Sequence, residues 1–308
     1  PVPMTYSPNG RTIKNPRACP KVWQCKNGKY LFWFHNHGGK NFNDRNPAWI
    51  SGGVLKDGKM HWSEPEILLY SYDYSYNTGR MSYPDLIEQD GKYWVTETQK
   101  EVARSHKIDP TLFEGMWAQL EGKGEVTKKG LVLNLDGKTA SSKDVEMPKL
   151  PDLSKIGGFT IDLKVEFKDN QQTSQIILDS RDAKGRGIAV GVDPGGSINV
   201  YFADGNKVKG RWNSDPGLLK EGQTHHITAI VDGGADIITF VVDGKLCDGG
   251  DSRQFGWGRF PHKLADVNGA DTLRLAPSFD GKIQALRIYD RYLRTSEAVG
   301  NHKADAGQ

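Results

Sequence analysis

The chain has 308 residues, enough for two domains at roughly 100–200 residues each. Lys and Arg total 41 against 38 Asp and Glu, which gives no concentrated basic face and no case for a nucleic-acid partner. No apolar run approaches the ~20 residues of a membrane helix, and the opening PVPMTYSPNG lacks the basic start and apolar core of a signal peptide.

With 36 Gly and 15 Pro, the expected class is all-β with many turns. In chain order, KYLFWFH (29–35), AWISGGVL (48–55), SEPEILLY (63–70), SYPDLIE (82–88) and KYWVTETQ (92–99) read as strands. NGK at 27–29 and DGK at 57–59 and 90–92 are the turns between them. Cys19 and Cys25 are spaced for a local disulfide that would leave Cys247 over; three reduced thiols are the alternative. Over 104–120 the alternation loosens, and IDPTLFEGMW predicts a short helix with Asp109 as N-cap and Pro110 at N1.

Residues 1–121 form one predicted domain, 122–130 a polar linker and 131–308 a second domain. The second domain repeats strand-length apolar runs between Gly- and Asp-rich turns: LVLNLDG, FTIDLKVEF, SQIILDS, GIAVGVD, SINVYFA, HHITAIVDG, DIITFVVDG, DTLRLA and GKIQALRIYD. This count and length suit a two-sheet jelly-roll sandwich. TSEAVGNH predicts a closing helix capped by Thr295 or Ser296, with unstructured residues after it.

Four segments of residues 131–303 resemble the LamG-like, concanavalin A-like jelly rolls: GGFTIDLKVEF, GIAVGVDPGGSINVYF, EGQTHHITAIVDGGADIITFVVDGKL and GKIQALRIYDRYLRTSEAV. Thr224 departs from the family's usual Trp before His225 and His226. The resemblance implies a carbohydrate-binding or spacer domain. Trp212, Trp257, Tyr201 and Phe255 are its candidate sugar-stacking aromatics, against the alternative that they pack on the sheets. Asp179, Asp182 and Asp193 offer oxygen ligands for a structural calcium; no other cofactor is expected. His225 and His226 face opposite sides of one strand and read as structural.

In the first domain the informative residues sit at loops and strand ends. Arg45 lies in GGKNFNDRNP (38–47), Arg80 and Tyr83 follow the loop SYDYSYNTG (71–79), and Glu97 lies near the end of KYWVTETQ. An arginine grips a carboxylate in bidentate fashion, which suits an acidic sugar. A tyrosine can attack an anomeric carbon, provided a base assists a phenol that otherwise titrates near pH 10.

The order Arg45, DGKMHW, SYPDL, VTETQ resembles the last blades of a sialidase-like (neuraminidase) propeller. The Asp-box turn is reduced to Asp57 and Trp62, with Leu55, Lys59 and His61 at its other marked positions. The resemblance implies Arg45 as the third arginine of a carboxylate-binding cluster, Tyr83 as nucleophile and Glu97 as the acid orienting another arginine of that cluster. The other cluster arginines, the acid/base aspartate and the glutamate paired with the tyrosine belong to earlier blades. It therefore also implies a site completed by preceding residues or by a second chain.

Two further readings stand beside exo-hydrolysis of an acidic glycoside. His35 and His37 share a strand face and, with Tyr83, suit a polysaccharide lyase or a hydrolase acting on a uronic-acid polymer. A non-catalytic carbohydrate-binding or adhesion protein is the third. In each reading the partner is a glycan or acidic polysaccharide, and the location is secreted or periplasmic.

Overall fold

The computed structural model describes every residue except 1, 8–9, 17–18, 39–43, 76, 123, 141–143, 169–173 and 308. The chain is predominantly β and divides into two compact units. The first comprises Pro1–Glu125, Arg253–Phe255 and Arg294–Gln308; the second comprises Val126–Ser252 and Gly256–Leu293. Among the described residues no helix is long and apolar enough to cross a membrane.

The first unit opens with an antiparallel meander of β1 (Lys21–Gln24), β2 (Tyr30–Phe34), β3 (Ala48–Lys56) and β4 (Lys59–Trp62), with β5 (Glu66–Leu69) also paired to β3. Asp57 and Gly58, at φ +50° and +70°, make the tight β3–β4 turn, the left-handed pair that suits a twisted two-residue hairpin. Sequence reading expects DGKMHW as a turn only; here it continues into β4 and delivers Trp62 opposite Gly53. A second antiparallel sheet contains β6 (Ser82–Gln89), β7 (Lys92–Gln99) and β8 (Val102–Ile108).

Helix α1 (Pro110–Ala118) follows as expected, its N-cap Asp109 accepting from Thr111 N at 3.0 Å with proline in the first turn. Its Met116 and Trp117 lie so close on β3 that a Cβ at Gly52 would sit 2.9 Å from both side chains. They join Leu31, Trp33, Ile50, Tyr93, Val95 and Phe113 in one core.

In the second unit the chain runs through β9 (Leu131–Asp136), α2 (Gly137–Ala140), β10 (Val145–Glu146), β11 (Gly158–Phe167), β12 (Gln175–Asp179), β13 (Gly187–Asp193), β14 (Ser197–Ala203) and β15 (Lys209–Asn213). It continues with β16 (Thr224–Asp232), β17 (Ile237–Val242), β18 (Lys245–Leu246), β19 (Gly258–Arg259), β20 (Thr272–Leu275) and β21 (Gly281–Tyr289). One sheet is ordered β10-β20-β12-β13-β14-β15, the other β18-β17-β16-β11-β21-β9 with β19 also on β17. Inward residues of both sheets share one core, for example Phe159 of β11 edge-on to Phe202 of β14 with ring centres 5.6 Å apart.

The last helix, α3 (Thr295–Ala306), groups with the first unit, whereas the sequence reading includes it in the second domain. Its helical hydrogen bonding runs well past the eight residues expected for it. Neither Thr295 nor Ser296 caps it. The backbone N–H groups of both donate to the buried carboxylate of Glu66 in β5, at 2.9 and 2.8 Å, so a strand side chain satisfies the exposed donors of the helix start.

Candidate functional site

The candidate residues of the first unit gather around the entry to β6. Ser82 pairs with Thr98 and Asp85 with Thr96, so Tyr83 and Pro84 are bulged out between them. The bulge puts Tyr83 at φ +50°, a region an aromatic residue adopts at a cost of about 1–3 kcal/mol, and leaves it 66% exposed. Arg45 reaches this point from the other sheet: its Nη1 donates to Ser82 Oγ at 2.9 Å, and its carbonyl accepts from Met81 N at 3.0 Å.

Glu97 faces inward with its side chain fully buried. Its carboxylate accepts from Arg104 through Nε and, at 3.3 Å, Nη2; His106 Nε2 lies 3.2 Å away. Burial pushes the Glu97 carboxyl up, but these hydrogen bonds and charges outweigh it and hold the group below the usual carboxylate range. Arg104 then donates through Nη1 to Thr78 O at 2.7 Å and through Nη2 to Arg80 O at 2.9 Å. Glu97 therefore anchors Arg104, and through it the backbone leading to Tyr83. Arg80 is itself buried. Among the described residues no hydrogen bond joins Tyr83 to a carboxylate.

His35 and His37 are both buried. Burial, then the charges of His37 and Arg45, push the His35 imidazole down to about 3 against a counteracting Pro47 carbonyl, while its ring sits edge-on to Trp33. His37 Nε2 bonds to the Asp44 carbonyl at 2.8 Å, its ring lies 5.1 Å from Phe255, and burial lowers its pKa as well. Neither ring is placed at a surface where it could meet a polymer. The loop residues 39–43 and Tyr76 lie outside the described residues.

The aromatic and acidic candidates of the second unit are engaged in packing and ion pairs. Trp212 donates Nε1 to Gly256 O at 3.0 Å, and its ring covers Gly258. Trp257 is 6% exposed and is overlaid by Arg259, so it offers little face to a sugar. Arg181 lies over Tyr201. Asp179 pairs with Arg181 and Arg274, Asp182 with Arg186, and Asp193 with Arg211, Asn199 and Asn213. Each of these three expected calcium ligands is satisfied separately by donors of its own, so they form no shared oxygen cage. His225 is held between Asp243, at 2.8 Å, and Lys220 N, at 2.9 Å, and the buried His226 lies 3.2 Å from Asp162, a pair whose atoms are close enough to share a metal ion. Cys19, Cys25 and Cys247 are all free thiols.

The sequence offers Arg80 or Arg104 as a partner for Glu97, and the structure pairs it with Arg104. His106 and Ser82 are not legible there, because the register of β7 on β8 that sets Glu97 opposite Arg104 depends on β8, whose polar inward residues hide it.

The second unit has two antiparallel sheets around one core, with a Gly-rich β13–β14 hairpin in one of them. The family model described as the concanavalin A-like lectin/glucanases superfamily matches residues 136–299. That is just over half of the chain, and the chain belongs to this superfamily. No curated protein matches it.

Among solved structures, the chain is similar to the Ruminococcus gnavus IT-sialidase CBM40 bound to α2,3-sialyllactose: TM-score 0.38, 15% identity, covering 55% of this chain and 97% of that one. It is also similar to Trypanosoma rangeli sialidase in complex with sialic acid: TM-score 0.40, 12% identity, covering 98% of this chain and 55% of that one. The chain thus spans about half the length of the trypanosomal protein. The leech intramolecular trans-sialidase complexed with 2,7-anhydro-Neu5Ac matches with TM-score 0.36 and 13% identity, over 57% of this chain and 28% of that one.

Proposed function

We propose that this is a secreted or periplasmic carbohydrate-active protein, pairing terminal blades of a sialidase-like propeller with a jelly-roll sandwich, and that it hydrolyses the glycosidic bond of an acidic sugar. Arg45 binds the sugar carboxylate and Tyr83 attacks the anomeric carbon. The Glu97–Arg104 pair holds the backbone at Thr78 and Arg80 that leads to Tyr83. The observation that carries this reading is Tyr83, an exposed tyrosine in strained left-handed backbone, one residue from the serine that Arg45 grips.

Tyrosine attack needs a base beside the phenol. Glu97 is committed to Arg104 and His106 and is not that base. That same commitment favours one other reading, a protein that binds acidic glycans without cleaving them. The buried, proton-poor His35 and His37 count against the lyase reading.

Tyr83→Phe in the complete native protein separates the alternatives. Hydrolysis predicts a loss of turnover of about a hundredfold or more on its best acidic glycoside, in line with removal of a covalent catalyst. Wild-type turnover in the variant on every acidic glycoside would sink the nucleophile assignment. Glycan binding without product release, in wild type and variant alike, would establish the binding reading.

A further inference from the structure

The segment between β5 and β6 is a closed loop whose two ends are held by one dipeptide. At its start, Asn46 Nδ2 donates to Ser71 O at 2.7 Å, and Ser71 N donates back to Asn46 Oδ1 at 3.1 Å. At its end, Met81 N donates to Arg45 O at 3.0 Å, and Arg45 Nη1 donates to Ser82 Oγ at 2.9 Å. A compact surface loop with its ends together and its own side chains inside is an Ω-loop, a form often used for function.

The described polar groups of this exposed loop bond to one another and to their neighbours. Asp73 accepts from Ser75 N at 2.8 Å, from Ser75 Oγ at 3.1 Å and from the Thr78 hydroxyl. Asn77 Nδ2 donates to Glu101 at 2.8 Å, and Arg104 holds the Thr78 and Arg80 carbonyls. The turn is so tight that a Cβ on Gly79 would lie 1.7 Å from Asp73 O.

Described residues of the loop present aromatic rings outward. Tyr72 is 39% and Tyr74 56% exposed, and Tyr83 just beyond the loop is 66% exposed; among the described residues these are the exposed tyrosines. Tyr70 supports Tyr72 edge-on, with ring centres 5.8 Å apart. An exposed tyrosine offers an apolar ring for the C–H face of a sugar and a hydroxyl for its oxygens. It loses little side-chain freedom on binding.

We propose that this loop is a glycan platform, on which Tyr72 and Tyr74 stack against further sugar units of an oligosaccharide whose acidic unit is held by Arg45 and Tyr83. The inference rests on the acidic-sugar reading above and extends it: the ligand is an oligosaccharide rather than a single sugar. The dipeptide Arg45–Asn46 couples the two parts, because the residue binding the carboxylate adjoins the one clasping the aromatic loop.

The test is calorimetric or saturation-transfer NMR binding by the full chain. The probes are a free nonulosonate, a free hexuronate, and oligosaccharides terminated by each. Tyr72→Ala/Tyr74→Ala is expected to lower the ratio of oligosaccharide to monosaccharide affinity about tenfold, and Tyr72→Phe/Tyr74→Phe to restore most of it. An unchanged ratio, in a variant that melts like wild type, overturns the platform. So does failure of the wild-type chain to bind any of the probes. Arg45→Ala and Tyr83→Phe report separately on the acidic-sugar reading: if they leave every affinity intact while the Tyr72/Tyr74 variant loses oligosaccharide binding, that reading fails and the platform stands.

Discussion

Tyr83 and Glu97 lie on paired strands and do opposite things. Tyr83 is pushed out by a bulge into solvent, while Glu97 is drawn in by Arg104 and His106. His35 is buried as completely as Glu97 but has no carboxylate partner among the described residues. A histidine in an unfolded chain titrates near 6.5, whereas folded His35 titrates at about 3. The unfolded chain therefore binds the proton first, so the stability associated with neutral His35 is complete above pH ~6.5 and is lost as pH falls toward 3. His37, lowered in the same direction, adds to the effect. Melting curves of His35→Phe between pH 7 and 4 should show a smaller acid loss than wild type; equal slopes would refute this assignment. The sequence made Tyr83 and Arg45 visible because both fall in recognisable strand-and-loop positions. It left Glu97 between Arg80 and Arg104, because the strand register that sets it opposite Arg104 is not written in local sequence.

At the level of elements, alternation is readable when inward positions are apolar. In β7, Tyr93 and Val95 point into the core and the strand is plain in the sequence. In β8 the inward positions include Arg104 and His106, so the pattern looks like a polar loop although the strand is fully paired. Helix α1 was legible from Asp109 and Pro110, local signals of a helix start. Helix α3 was legible as a helix, but its cap was not, since the carboxylate that serves it belongs to Glu66, far away in sequence. Glu66→Ala should leave two N–H groups unsatisfied and destabilise the first unit by about 1–2 kcal/mol, measured as a shift in the denaturant midpoint. Glu66→Gln, which keeps one acceptor in place, should cost less; an Ala variant as stable as wild type would show that α3 does not depend on this contact.

For the whole molecule, chain order and spatial grouping differ. The strands of the second unit were readable almost throughout, because their runs of Val, Ile, Leu and Phe are continuous and bounded by glycine turns. The grouping of Arg294–Gln308 with the first unit was not, because it depends on a carboxylate–helix contact and on Arg294 pairing with Asp109 at 2.9 Å. Ending the chain after Leu293 should therefore lower the melting temperature of the first unit and leave that of the second nearly unchanged. Domain-resolved hydrogen exchange would read this directly, and equal protection of the first unit with and without those residues would contradict it.

A unit built from the first 125 residues and the last 15 cannot be finished in the order in which it is made. During synthesis its sheets emerge early but wait for α3, whereas every strand of the lectin-type unit has been translated before that helix appears. The portion that carries Tyr83 and Arg45 thus gains its last helix only after the whole lectin-type unit has been made. A product stalled before Arg294 would hold every strand of the second unit and an incomplete first unit.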